Sequence, residues 1–267
     1  MKKIIVLGTG HAVVTECYNT CFALADGNDY FLVDAGGGNG ILSQLQKANI
    51  PYNKIRYAFV SHCHTDHLLG MIWVIRLIGS LIKTGKYDGD FTLYCHEPLA
   101  KDVLTLVEIT MDRKITELIG KRIHIIPLKN GQQEVILGYT FKFFNLYSEK
   151  TKQFGFTSEF ENNKKLTFLG DEPYNSLCRK YVENSDWLLS EAFCLYEERD
   201  IFRPYEKHHS TVKDSCELAE KLNVKNLILW HTEDKNIKQR KTLYTAEGKR
   251  YYNGNLFVPD DLDIIEL

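Results

Sequence analysis

Apolar residues in this chain fall in short runs bounded by glycine, asparagine and charged residues. The runs read as strands at 3–8 (KIIVLG), 20–25 (TCFALA), 30–34 (YFLVD), 56–60 (RYAFV), 91–95 (FTLYC), 122–127 (RIHIIP), 139–147 (YTFKFFNLY), 165–169 (KLTFL), 187–190 (WLLS) and 226–230 (NLILW). Apolar positions three and four apart lie between some of them and predict helices over 40–48, 67–84, 97–119, 211–222 and 236–246. The first half mixes strand and helix, and 122–170 is nearly all strand, a pattern that predicts sheets packed together and covered by helices. No repeat, low-complexity tract or Pro/Gly-rich linker interrupts it, so residues 1–267 are expected to form one domain. The helix after His67, LLGMIWVIRLIGSLI, is apolar on nearly every face and should be buried on more than one side, as core, subunit interface or the wall of an apolar pocket.

Composition narrows the class. With 44% apolar residues among 267, the chain buries a substantial core, and a formal charge of −2 gives no sign of a large nonspecific nucleic-acid footprint. Seven cysteines form an odd set with no C-x-x-C pair, which suits a reducing cytoplasm. The apolar run in MKKIIVLGTG is too short for a signal-peptide core, and Leu68 to Ile82 is interrupted by Arg76 and falls short of the roughly 20 residues that cross a bilayer. No membrane span is expected.

The chemistry concentrates in SHCHTDHLLG, residues 61–70, which places His62, His64, Asp66 and His67 within six residues. Imidazole and carboxylate are the usual ligands of zinc and related divalent ions, and a strand end such as YAFVS fixes them rigidly. One histidine alone would read as a structural residue; four coordinating residues in H-x-H-x-D-H read as a metal site. Cys63, between two of them, points away by alternation. GTGHAV and AGGGNG are glycine-rich but no Gly-Lys-Ser/Thr follows either, so both read as turns. Cys95 and His96 end a strand, and Pro98 marks a helix start there.

The H-x-H-x-D-H motif at 62, 64, 66 and 67 resembles the signature of the metallo-β-lactamase superfamily. The resemblance implies an α/β fold, a four-layer αββα sandwich, with metals at one edge between two similar halves. Asp34, closing YFLVD, is similar to the superfamily's early aspartate, which orients a ligand histidine. Asp171 in LTFLGD looks like the carboxylate that bridges two metals, and His231 in NLILWH like the last ligand histidine. Within the superfamily the ribonuclease Z group is the nearest likeness: VLGTG, SEAF at 190–193, and HHSTVKDSCELAEKLNVKNLILWH at 208–231 all resemble its segments. By that likeness Glu191 and His209 form a hydrogen-bonded pair aimed at the scissile phosphate, able to donate a proton to a leaving oxygen. Ser210 and Thr211 also read as a helix cap, with Asp214 three residues after Thr211.

Two departures matter. The group's further histidine, expected after the long strand near 147, is absent: FFNLYSEKTKQFGF holds none, and no histidine lies between His124 and His208. Glu149 is the first candidate substitute ligand and Ser148 a poorer one, with Asn145 and Tyr147 behind them; His124 reads as a sheet or core residue. Two divalent ions are therefore expected, zinc first with manganese or iron as alternatives, the first site being the weaker. The group's long tRNA-gripping arm is also missing, since only about 20 residues, 150–170, fill its interval. A small-molecule phosphodiester, cyclic or nucleotide-like, replaces tRNA as the expected substrate, hydrolysed through a metal-activated water with Asp66 as a catalytic residue orienting it. Alternatives are a carbonyl hydrolase, lactonase or thioesterase, on the same metals, and a non-catalytic metal-binding protein. Arg203, Tyr205, Lys207, Glu172 and Tyr174 are further candidates for the pocket. The resemblance also implies a homodimer.

Overall fold

The computed structural model describes residues 3–267. Its contacts divide into two units, one made of residues up to Gly8, Tyr18–Lys129 and Leu262–Leu267, the other of Thr9–Cys17 and Asn130–Asp261. The chain passes from one to the other without any Pro/Gly-rich linker, which is why composition alone shows no boundary.

The first unit begins with β1 (Lys3–Gly8), β2 (Cys21–Asp26) and β3 (Asp29–Val33), followed by α1 (Gly40–Lys47), β4 (Ile55–Phe59) and α2 (Thr65–Lys83). It continues through β5 (Phe91–His96), α3 (Glu97–Thr110), α4 (Arg113–Thr116) and β6 (Ile123–Leu128). β1, β2 and β3 pair antiparallel, whereas β3, β4, β5 and β6 run parallel. The second unit holds β7 (Gln133–Ile136), β8 (Tyr139–Asn145), β9 (Phe154–Phe160), β10 (Lys164–Phe168), α5 (Arg179–Val182), β11 (Trp187–Glu191) and α6 (Arg199–Phe202). α7 (Val212–Lys221), β12 (Asn226–Trp230), α8 (Arg240–Gly248) and β13 (Asn255–Phe257) complete it, and β14 (Ile264–Glu266) returns to pair antiparallel with β1. Here β7 to β10 form an antiparallel meander and β10 to β13 run parallel. Among the described residues each unit thus builds one seven-stranded mixed sheet, and the two sheets repeat the same change from antiparallel to parallel.

Each unit has its own apolar core. In the first, Leu7, Ala23, Leu32, Ala58 and Leu93 from the sheet meet Ile41 and Leu45 of α1 and Met71, Val74, Ile75 and Ile78 of α2. α2 is long and apolar enough to cross a membrane by length and composition, but half of that window is buried inside the unit. It is a core helix, with Leu69 and Trp73 left on its outer face beside Arg76, Leu106 and Met111. In the second unit Phe144, Leu188, Leu227 and Leu229 pack with Val212, Cys216 and Ala219 of α7 and Tyr244 of α8.

The helix expected over 97–119 is broken. Met111 leaves α3 in extended backbone and Asp112 starts α4 as its cap, accepting from the Ile115 N–H at 3.3 Å. His96 caps α3 through its ring, accepting from the Leu99 N–H at 3.2 Å, which is the helix start that Pro98 marks. His124 lies in β6, with Nε2 3.2 Å from Asp90. All seven cysteines are free thiols.

Candidate metal centre

Parallel strands present their carboxyl ends on one edge of a sheet, and functional residues of open α/β sheets gather there. β3 is followed by Asp34, β4 leads into Ser61 to His67, β10 into Asp171, β11 ends at Glu191 and β12 is followed by His231. The motif residues read from the sequence therefore follow, or end, parallel strands, except His209, which lies in the loop before α7.

In the first unit the organising group is Asp34. It adopts a left-handed backbone, φ 53°, as its N–H donates to the Phe59 carbonyl at 2.8 Å, and this turns its side chain toward the next strand's end. One carboxylate oxygen accepts from the Ser61 N–H at 2.8 Å; the other accepts from the Ser61 hydroxyl at 2.8 Å and lies 2.8 Å from His67 Nδ1. Ser61 Oγ lies 3.0 Å from His62 Nδ1. With its proton given to Asp34, that hydroxyl accepts from His62 Nδ1–H. A single aspartate thereby sets both rings in the tautomer that leaves Nε2 as the donor atom for a metal, directly for His67 and through Ser61 for His62. Ser61 was not singled out by the motif, although its place between strand end and first histidine was open to view.

The rings of His62 and His64 lie 4.5 Å apart centre to centre, those of His62 and His67 4.2 Å. His64 is the residue before α2, its carbonyl accepting from the N–H groups of His67 and Leu68. Asp66 Oδ2 lies 3.4 Å from His67 Nε2. Burial draws the His67 imidazole toward neutrality, but Asp66 and Asp34 outweigh it and hold its pKa well above the usual histidine range. The same two carboxylates that favour a proton favour a divalent cation, so metal and proton compete here. Cys63 is exposed, as alternation indicated.

In the second unit Glu191 is wholly buried and is the hub. Its Oε2 lies 2.6 Å from His209 Nδ1 and 3.7 Å from His231 Nδ1, and its Oε1 accepts from the Ser210 N–H at 2.8 Å. His231 Nε2 faces Asp171 Oδ2 at 3.6 Å, and His231 takes a left-handed backbone, φ 55°. Asp171, His209 and His231 each offer a ligand atom, all within 4.8 Å of one another. His209 is stacked on Phe193 at 4.9 Å, which fixes the plane of its ring. Burial pushes the Glu191 carboxyl up to about 7, with His231 pulling it down and Asp171 pushing it further up. Thr211 and Asp214 form a reciprocal capping box at the start of α7, so the hydroxyl of Thr211 serves the helix. Beside His209 lies a cavity of about 350 Å³ lined by Tyr174, Ser190, Tyr205, His208 and Asp214. Tyr205 donates to Asp214 at 2.9 Å and Lys207 lies over the Phe193 ring at 5.1 Å; Arg203 is a left-handed helix end.

The segment after β8 differs from expectation. The Glu149 side chain is 79% exposed and lies 3.6 Å from His208 Nδ1, pointing to solvent. Ser148 spends its hydroxyl on a turn, accepting from the Lys150 and Thr151 N–H groups at 3.2 and 3.4 Å. Asn145 likewise accepts from the Tyr147 N–H at 3.0 Å, and Tyr147 is left-handed, φ 60°. Among the described residues Glu149 joins no cluster of histidine, cysteine, aspartate and glutamate side chains close enough to share an ion. Lys150 is the residue brought to Asp171 instead, and because an ammonium ligates no metal, no pattern of ligand types marks it in the sequence.

The donor set, imidazoles and carboxylates buried at strand ends, fits a divalent metal. Likeness to known proteins agrees. Ribonuclease Z of Thermococcus sibiricus is 25% identical over 321 residues, covering 100% of this chain and 97% of the relative. The metallo-β-lactamase fold protein YhfI of Bacillus subtilis superposes with a TM-score of 0.81 at 17% identity, covering 100% of this chain and 99% of that one. A diphosphatase of the PhnP family superposes at 0.74 with 18% identity, covering 100% and 97%. These establish the metallo-β-lactamase fold, two mixed sheets flanked by helices, in a ribonuclease Z-like chain. The description of the family named Anti-Pycsar protein Apyc1 matches residues 2–251, nearly the whole length, and the chain belongs to that family.

Proposed function

We propose that this chain is a metal-dependent hydrolase of small phosphodiesters, of the cyclic or nucleotide type. The observation that carries the reading is the pair of buried Glu191 and part-buried His209, 2.6 Å apart, beside a cavity of about 350 Å³. A sugar oxygen leaving phosphorus is a poor leaving group and needs a proton. A carboxylate on Nδ1 holds that nitrogen protonated and raises the basicity of the ring, so Nε2 can carry and deliver the second proton.

His62, His64, Asp66 and His67, with Asp171 and His231, are proposed to hold divalent metal, zinc first. Metal held there supplies a water nucleophile at neutral pH and neutralises phosphate charge. The chain's own residues do the rest. Asp34 and Ser61 fix the histidine tautomers, Asp66 orients the nucleophile, and Glu191 with His209 moves the proton. Tyr174 and the small hydroxyls of the cavity surround the organic part of the substrate. Two features support a small substrate over tRNA: the interval 150–170 is short, and the alignment to ribonuclease Z runs over 321 residues against 267 here, so the relative carries insertions that this chain lacks. Family membership adds an anti-Pycsar role to the proposal. A homodimer is proposed on the same resemblance, supported by the exposed Leu69 and Trp73 of α2. Free thiols throughout suit a cytoplasmic setting.

The test compares turnover of bis(4-nitrophenyl) phosphate and a cyclic nucleotide with that of a simple lactone and a thioester. Diester hydrolysis abolished by Asp171→Ala supports the reading. Turnover confined to the lactone or thioester would move the activity to carbonyl chemistry, and no turnover of any of the four would favour a binding protein.

A further inference from the structure

The turn after β8 aims a cation at Asp171. Its hydrogen bonds are local: Asn145 Oδ1 accepts from Tyr147, Ser148 Oγ accepts from Lys150 and Thr151, and the Leu146 N–H donates to the Gln153 carbonyl at 3.0 Å. This geometry turns Glu149 outward and Lys150 inward. Lys150 Nζ lies 3.4 Å from the Asp171 carbonyl oxygen, 3.6 Å from Asp171 Oδ2 and 3.7 Å from Glu172 Oε2. Its side chain is 15% exposed, whereas a lysine normally keeps its ammonium in water.

The partners explain the cost of that placement. Asp171 and Glu172 are adjacent carboxylates, both buried. Gln153 Nε2 donates to Glu172 Oε2 at 3.2 Å. Two buried like charges need a nearby cation. The chain supplies one from Lys150 in the turn after β8, within ion-pair distance of the proposed metal-holding carboxylate of Asp171.

We propose that Lys150 gives Asp171 the positive charge that a second divalent ion would otherwise give, so that each chain binds one ion tightly and a second only weakly. The proposal rests on the reading of Asp171 as a metal ligand. It makes the absent histidine part of a substitution of ammonium for metal charge, in place of a simple loss.

The experiment is calorimetric zinc titration of the full chain after stripping with a chelator, with elemental analysis of the dialysed product, for wild type, Lys150→Gln and Lys150→Arg. Wild type is expected to retain one zinc per chain, with any second equivalent about a hundredfold weaker or more. Lys150→Gln removes the competing charge and should tighten the second equivalent about tenfold or more, while Lys150→Arg, which keeps it, should match wild type. Two equivalents of like affinity in wild type would overturn the proposal alone, as would a second equivalent unmoved in folded Lys150→Gln. Wild type that binds no zinc would overturn both this proposal and the metal reading beneath it. If Lys150→Gln fails to fold by circular dichroism, the wild-type count and Lys150→Arg decide.

Discussion

Glu191 is a carboxyl with no exposure and a pKa raised to about 7, held between two imidazoles. A group bound more tightly to its proton in the folded state contributes stability that is fully present below its unfolded pKa and is lost as pH rises through its folded one. In the ion-free protein, Glu191 therefore weakens the fold progressively between about pH 4.5 and 7. Glu191→Gln is expected to raise the melting temperature at pH 8, with the advantage vanishing at pH 5; an advantage equal at both values would mean that burial of this charge costs nothing. The same variant lets an amide N–H face His209 Nδ1, stripping the ring of its carboxylate. His209→Ala should lower kcat/KM on a cyclic diester by roughly 10² to 10⁴, and Glu191→Gln should fall in the same range, since a positioned acid contributes about that much. Of this arrangement the sequence showed Glu191 and His209, because chemistry-bearing types stood in recognisable order. It hid Ser61 and Lys150, because a serine relay and a repositioned ammonium depend on which way a turn points.

At the scale of elements, the site depends on how closely backbones approach. A Cβ on Gly70 would lie 1.8 Å from the Ala35 carbonyl oxygen, and the Gly70 N–H already donates to the Gly36 carbonyl at 2.8 Å. This contact lays the first turn of α2 against the loop that follows Asp34, and so delivers His67 to Asp34. Gly70→Ala should cost about 2 kcal/mol or more in urea unfolding and weaken zinc binding with it; full stability would show that the helix has room to shift. Gly8, in VLGTG, has a similar role, as a Cβ there would meet the Asn19 carbonyl oxygen at 2.1 Å. Strand positions were legible through alternation and apolar runs, and ten of those runs coincide with strands. β13 and β14 were not, since three residues each are too few to show a period, nor was β7, whose QEVI alternates over a single repeat, nor β9, whose FGFTSEF sets a glycine and polar residues among its phenylalanines. The break at Met111 was hidden because the apolar spacing of α3 continues into α4, leaving Asp112 as its only signal.

For the whole molecule, the central claim is that divalent metal and diester hydrolysis belong together in a chain whose sheets repeat one pattern and carry their functional residues at parallel strand ends. His67 must give up its proton when metal binds, so zinc affinity should fall as pH drops, a trend calorimetry at pH 6 and 8 would reveal. The most direct measurement is hydrolysis of a 3′,5′-cyclic nucleotide by the full chain before chelation, after chelation and dialysis, and after readdition of zinc or manganese. The expected result is turnover that disappears on chelation and returns with metal in wild type but not in Asp171→Ala. Turnover that survives removal of all metal, or that returns equally in Asp171→Ala, would contradict the account.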